Sequence, residues 1–141
     1  MQGWLKYTVK LKKRKMKTTD TLTKKKILIL EDEGDICFLL NVMLKNDNVD
    51  IEHVNTIAQA NVFLKEQTPD VLIMDNKLPD GRGVNHIEEI KQTYPKVKII
   101  MISGNSDASD KAKAMKNGAD RFLGKPFTKE QMQQTLKELA G

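Results

Sequence analysis

Cysteine is nearly absent from this 141-residue chain. Cys37 alone can neither close an internal disulfide nor seed a thiolate metal site, and its neighbours Ile36, Phe38 and Leu39 favour a plain buried thiol. Long hydrophobic runs are missing too. None approaches the roughly 20 residues that span a bilayer, and the basic, interrupted N-terminus offers no signal-peptide core. A soluble, cytoplasmic protein is expected. The histidines, His53 and His86, are expected to face solvent, and neither has an acid and a hydroxyl arranged for nucleophilic catalysis, which removes a hydrolase triad. LPDGRG has too few glycines, and follows the wrong strand, for a dinucleotide fingerprint. No repeat or low-complexity linker divides the chain, whose 39% hydrophobic content suits one core and one domain.

The formal charge of +5 hides two regions of opposite sign. Through Lys26 ten Lys or Arg stand against the single acid Asp20, and the remaining 14 basic and 18 acidic residues leave the rest net negative. Residues 1–24 read as a basic, solvated, mobile extension. A weak nucleic-acid or membrane-surface contact, a leader (Met16 makes an ordinary start) and an inert extension remain open for it.

From Lys26 onward short apolar runs alternate with helical periods. The runs are 26–30, 49–54, 71–74, 97–102 and 120–123. Asp35 is the expected N-cap of a first helix with Ile36, Leu39, Leu40 and Met43 on one face. Thr56 caps the second, and Val84, Ile87 and Ile90 mark the third. The fourth runs from about Ser106 to Lys116 and stops at Asn117-Gly118; Thr128 and Gln131 form a capping box for the fifth. Met101, Met115 and Met132 read as packing residues. Runs apolar on both faces belong in a parallel sheet covered on each side, so the fold expected is a doubly wound α/β sandwich of five β-α pairs.

In such sheets ligands bind beyond the carboxyl ends of the strands. Glu31 and Asp32 end the first strand, Asp75 the third and Ser103 the fourth, while the fifth leads to Lys125-Pro126. Two like charges about 4 Å apart repel by on the order of 4 kcal/mol at an effective dielectric near 20, so three gathered acids call for a cation. Oxygen-only ligands on an open edge suit Mg²⁺, and a metal beside a carboxylate, a hydroxyl and an ammonium equips a site to hold a phosphoryl group. Taken singly the signals are bland: EDE as a solvated helix start, Asp75 as a turn former, Lys125 as a surface lysine. Their common placement at strand ends favours the joint reading.

LILEDE, VLIMDNKLPDGRG with Pro79 and Gly83 behind Asp75, MISG and FLGKPF, in that order, resemble the receiver domains of two-component response regulators over Lys26 to Leu139. The resemblance implies a flavodoxin-like (α/β)5 sandwich with strand order 2-1-3-4-5, residues 25–141 forming the receiver domain. It implies that Asp75 accepts a phosphoryl group from a sensor histidine kinase or a histidine phosphotransfer protein. Mg²⁺, or Mn²⁺ in its place, would be held by Asp32, Asp75 and the backbone carbonyl of Lys77, with Glu31 acting through water. Ser103 and Lys125 would bind phosphoryl oxygens, Phe122 would change rotamer with Ser103, and the Lys125–Pro126 peptide would be cis. A downstream protein would read the face made by helix 4, strand 5 and helix 5.

The sequence departs from the family pattern in places. Glu31 replaces the commoner Asp, Gly104 stands where Ala is frequent, and Phe122 has no hydroxyl to hydrogen-bond in a switched state. Lys77 occupies a variable position connected with phosphate lifetime. Because the fifth helix reaches nearly to the last residue, a stand-alone receiver without an output domain is expected, a phosphoacceptor rather than an enzyme. The alternatives are a phosphorylation-independent adaptor and an aspartyl-phosphate phosphatase; the latter would want a second Asp where Lys77 stands.

Overall fold

The computed structural model describes residues 24–46, 48–104 and 108–140. The basic extension ahead of them, and the fourth helix's expected start at Ser106, lie outside the described residues.

Five apolar segments form one sheet: β1 (Lys25–Leu30), β2 (Val49–Val54), β3 (Val71–Asp75), β4 (Lys98–Ser103) and β5 (Arg121–Gly124). All pair in parallel, in the order β2-β1-β3-β4-β5. This is the expected 2-1-3-4-5 arrangement. A two-residue antiparallel ladder, Lys77–Leu78 with Gly81–Arg82, follows β3 and stays outside the sheet.

Burial explains the order. All five residues of β3 are buried, as are the last four of β1 and the last five of β4, whereas β2 and β5 are only partly covered, as edge strands must be. Alternate residues serve opposite faces. Leu28, Leu72 and Ile99 pack under α2 (Ile57–Glu66), α3 (Ile87–Thr93) and α4 (Ala108–Lys116). Ile29, Ile73 and Ile100 pack under α1 (Gly34–Leu44) and α5 (Lys129–Ala140). Each such side chain stabilises by about 1.5–3 kcal/mol, and Leu72→Ala, at a fully buried central position, removes about 2–5 kcal/mol.

The helix ends follow local chemistry. Thr56 Oγ1 accepts the Gln59 N–H at 3.0 Å, and Thr128 and Gln131 exchange side-chain-to-backbone bonds at 2.8 and 3.0 Å. Gly118, at φ +115°, ends α4 in a conformation that L side chains rarely adopt.

Several expectations need correction. Asp35 lies inside the first turn of α1; Glu33 is the N-cap and makes no side-chain capping bond. The inner face of α1 is Leu40 and Leu44, with Ile36 and Met43 beside them, whereas Leu39 is 49% exposed: the apolar stripe is broader than the surface it covers. Met115 points to solvent, unlike Met101 and Met132. The third helix begins as a 3₁₀ turn, Gly83–His86, and becomes α-helical at Ile87.

Candidate functional site

The parallel register lines up the carboxyl ends. Leu30 pairs with Met74, Asp75 with Ile102 and Ser103 with Gly124, so the residues that follow or end these strands share one rim. Glu31, Asp75 and Ser103 are buried there, and Asp32 is exposed. One carboxylate oxygen from each of Glu31, Asp32 and Asp75 lies within 4.8 Å of the others. The ammonium of Lys125 stands 3.2 Å from Glu31 Oε1 and 3.3 Å from Asp75 Oδ1.

Backbone groups hold these side chains. The Glu33 N–H donates to Glu31 Oε2 at 3.1 Å, and the Asn76 N–H donates to Asp75 Oδ1 at 2.8 Å. The Lys125 N–H donates to the Ser103 carbonyl at 2.8 Å, and the Lys125–Pro126 peptide is cis. Gly83 packs so closely that a Cβ there would lie 2.5 Å from the Asp75 carbonyl oxygen. Only a residue without a side chain lets the 3₁₀ turn approach β3 in this way.

The electrostatics are those of acids crowded out of water. Burial, reinforced by the Asp75 charge, pushes the Glu31 carboxyl up to about 7 despite the opposing Glu33 N–H and Lys125. Burial alone would lower the Lys125 ammonium, but the Asp75 and Glu31 carboxylates outweigh it and hold Lys125 above the ordinary lysine value. One monovalent cation is shared between two buried acids, with a third acid at the edge. The all-oxygen donor set fits a hard divalent ion, which would add the missing positive charge.

The remaining predicted residues lie nearby. Lys77 is exposed in the short ladder two residues past Asp75. Phe122 pairs with Met101 across β4 and β5 and is partly buried against the core on the α4 side of the sheet.

Sequence reasoning missed four features. Asn76 is buried; its Oδ1 accepts the Val84 N–H at 3.0 Å and its Nδ2 donates to Asp110 at 3.3 Å. Arg82 donates to both oxygens of Asp110 at 2.8 and 2.9 Å, tying the loop after β3 to the first turn of α4. Asp80 accepts the N–H groups of Ile57 and Ala58 at 2.9 and 3.0 Å, which hold its carboxyl below the usual range. Cys37, expected to be a plain buried thiol, is half-buried, with Sγ 2.8 Å from His53 Nε2. His53 Nε2 in turn lies 3.0 Å from the Glu31 carbonyl. Burial, helped by the Glu31 and Asp32 charges, pushes the thiol up to about 11, away from thiolate chemistry. His53 is exposed as a residue but not idle, and His86 is half-buried. Of these, only the PDG turn carried a local signal, and that signal named a turn rather than a cap.

A doubly wound parallel sheet with an acid cluster and a lysine at its carboxyl rim defines a receiver-like α/β domain. Residues 27–137 match the family model described as the response regulator receiver domain, and the chain belongs to that family. It is 34% identical over 111 residues to the KDP operon transcriptional regulatory protein KdpE of Escherichia coli, covering 79% of this chain and 49% of that protein. It is 36% identical over 104 residues to the regulatory protein VanR of Enterococcus faecium, covering 72% and 44%. The chain thus spans about half the length of these relatives. Among solved structures it resembles the beryllofluoride-activated NtrC4 receiver domain dimer, with TM-score 0.76, 33% identity and coverage of 81% and 94%. The fold also matches a CheY-like receiver domain protein from Methanospirillum hungatei, with TM-score 0.78, 24% identity and coverage of 83% and 94%.

Proposed function

We propose that this chain accepts a phosphoryl group on Asp75 and signals through a changed protein-binding surface. The observation that carries the reading is the meeting of Glu31, Asp32 and Asp75 within 4.8 Å, with the Lys125 ammonium between two of them. The Asn76 N–H and the Lys125 ammonium both meet the Asp75 carboxylate at Oδ1. A carboxylate oxygen of Asp75 attacks the phosphorus of a phosphohistidine donor, from a sensor histidine kinase or a histidine phosphotransfer protein. The P–N bond breaks, its electron pair stays with the imidazole, which then takes a proton, and the aspartate becomes an acyl phosphate.

Glu31 (through water), Asp32, Asp75 and the Lys77 carbonyl would hold Mg²⁺ or Mn²⁺. When bound, the ion supplies positive charge to the phosphoryl oxygens and to the acid cluster. Lys125 neutralises one phosphoryl oxygen and the Ser103 hydroxyl binds another. Ser103 moving inward leaves room for Phe122, and the surface of α4, β5 and α5 changes for a downstream protein. Lys113 donates to Asn85 at 2.8 Å and Arg121 pairs with Glu138 at 3.1 Å, contacts that such a change would re-form.

Among the described residues no helix is long and apolar enough to cross a membrane, and a cytoplasmic site of action is part of the proposal. The chain acts as a phosphoacceptor, with at most slow turnover of its own phosphate. The test is incubation with a small acyl phosphate and Mg²⁺ followed by intact-mass analysis. One added phosphoryl group, lost in Asp75→Asn and in chelator, supports the reading. An unlabelled protein points to a phosphorylation-independent adaptor, and rapid turnover of phosphate esters points to a phosphatase.

A further inference from the structure

At the opposite end of the sheet lies a second concavity that phosphoryl acceptance does not use. It is a cavity of about 450 Å³ bordered by α1 and α5. Lys25, Val49, Val71 and Lys98, the first residues of β1, β2, β3 and β4, all line it, which places it at the amino ends of the strands. Its floor is apolar: Ile27, Leu44 and Val71 are buried, and Leu136 and Leu139 are partly buried. Its rim is cationic, for Lys25, Lys96, Lys98 and Lys137 line it and are exposed.

Among the described residues none of these four ammonium groups is held by an ion pair or a side-chain hydrogen bond. The acid at the rim is Asp70, whose Oδ2 accepts the Lys26 backbone N–H at 2.8 Å. Lysine stems lie readily along apolar surface while their heads stay in water, so the rim suits a ligand with a charged end. The volume falls within the roughly 300–1,000 Å³ of small-ligand sites.

We propose that this cavity binds a small amphiphilic carboxylate, with its hydrocarbon body on the floor and its anionic head among the rim lysines. The sign of the rim selects this occupant over two others. The segment of this chain up to Lys26 is itself strongly basic, and a second copy docking by the same face would oppose the same four lysines.

The test titrates sodium decanoate, decanol and decyltrimethylammonium, each below its self-association concentration, into the full chain, read by calorimetry and by methyl NMR of Ile27, Val71 and Leu136. Decanoate is expected to saturate at one per chain and to shift these methyls, decanol to bind at least tenfold more weakly, and the cation not to bind. Lys98→Gln with Lys137→Gln is expected to weaken decanoate at least tenfold and leave decanol unchanged. Leu136→Trp, which fills the floor, is expected to abolish binding, and should it fail to fold, the exposed lysine pair decides. Asp75→Asn is expected to bind as the parent does, so failure of the phosphoryl reading would leave this one standing. The proposal is overturned by absent saturation, by equal affinity for decanol, or by an unaffected lysine variant. It is equally overturned if, without ligand, these methyls already contact residues 1–23 or a second copy.

Discussion

Lys125 Nζ stands 3.3 Å from Asp75 Oδ1, in a site where its other acidic neighbour, Glu31, is fully buried. The lysine is the counter-charge of the rim. Removing it leaves the buried Glu31 and Asp75 carboxylates with their backbone N–H bonds but without their counter-charge, a loss of about 1–3 kcal/mol. Lys125→Met is therefore expected to lower the unfolding free energy in chelator at pH 8, measured by urea denaturation. It is also expected to slow phosphoryl acceptance roughly 10²-fold, as the loss of one stabilising donor does elsewhere. An unchanged labelling rate would remove Lys125 from the phosphoryl site.

Glu31 makes the metal-free protein sensitive to pH. Its folded-state value is about 7 against an ordinary 4.5, so between these values the folded chain binds more protons than the unfolded one. The contribution to stability is fully present below about 4.5 and is lost as pH rises through about 7. It is on the order of 1–3 kcal/mol. Melting in chelator is expected to weaken from pH 5 to pH 8, and Glu31→Gln is expected to flatten that trend. Mg²⁺ is expected to restore stability at pH 8 in the parent, because it binds the folded site. A flat parent profile would contradict the assignment.

Gly83 sets how closely the 3₁₀ turn approaches Asp75. A methyl group there would lie 2.5 Å from the Asp75 carbonyl oxygen and 3.0 Å from Met74 Cγ. Gly83→Ala is expected to destabilise by about 1–3 kcal/mol through overpacking, seen as a lower Tm, and to reduce labelling of Asp75 at temperatures where the variant is still folded. Gly34, where an added Cβ would meet nothing within 4 Å, is the control: Gly34→Ala is expected to leave labelling intact.

Lys77 is exposed two residues beyond Asp75, with no ion pair among the described residues. It is expected to shield the phosphoryl group from water. Lys77→Ala should shorten the phosphoprotein half-life, measured by phosphate release after donor removal, and an unchanged half-life would count against shielding.

The central strands were legible because β3 and its neighbours are buried on both faces and carry no period of their own, which only a covered parallel sheet tolerates. The acids were legible because Glu31 and Asp75 interrupt that pattern at the strand ends. What the sequence hid depends on distant partners. Leu39 has the spacing of a core residue, yet Leu40 and Leu44 take the inner face of α1 and leave it 49% exposed. Cys37 reads as a small hydrophobe until β2 brings His53 within 2.8 Å of it. Asp80 caps α2 from another loop, and Arg82 meets Asp110 only once α4 packs against the loop after β3. Pairings of that kind leave no periodic trace in one chain.

An acyl phosphate, unlike a free carboxylate, is reduced by borohydride to the alcohol, which turns a phosphorylated aspartate into homoserine. Reduction after treatment with acetyl phosphate and Mg²⁺, followed by peptide sequencing, tests the central claim most directly. Homoserine at position 75, absent when Mg²⁺ is chelated, is the result predicted. Homoserine at position 32 or at another aspartate, or an unreduced Asp75 in fully labelled protein, would contradict it.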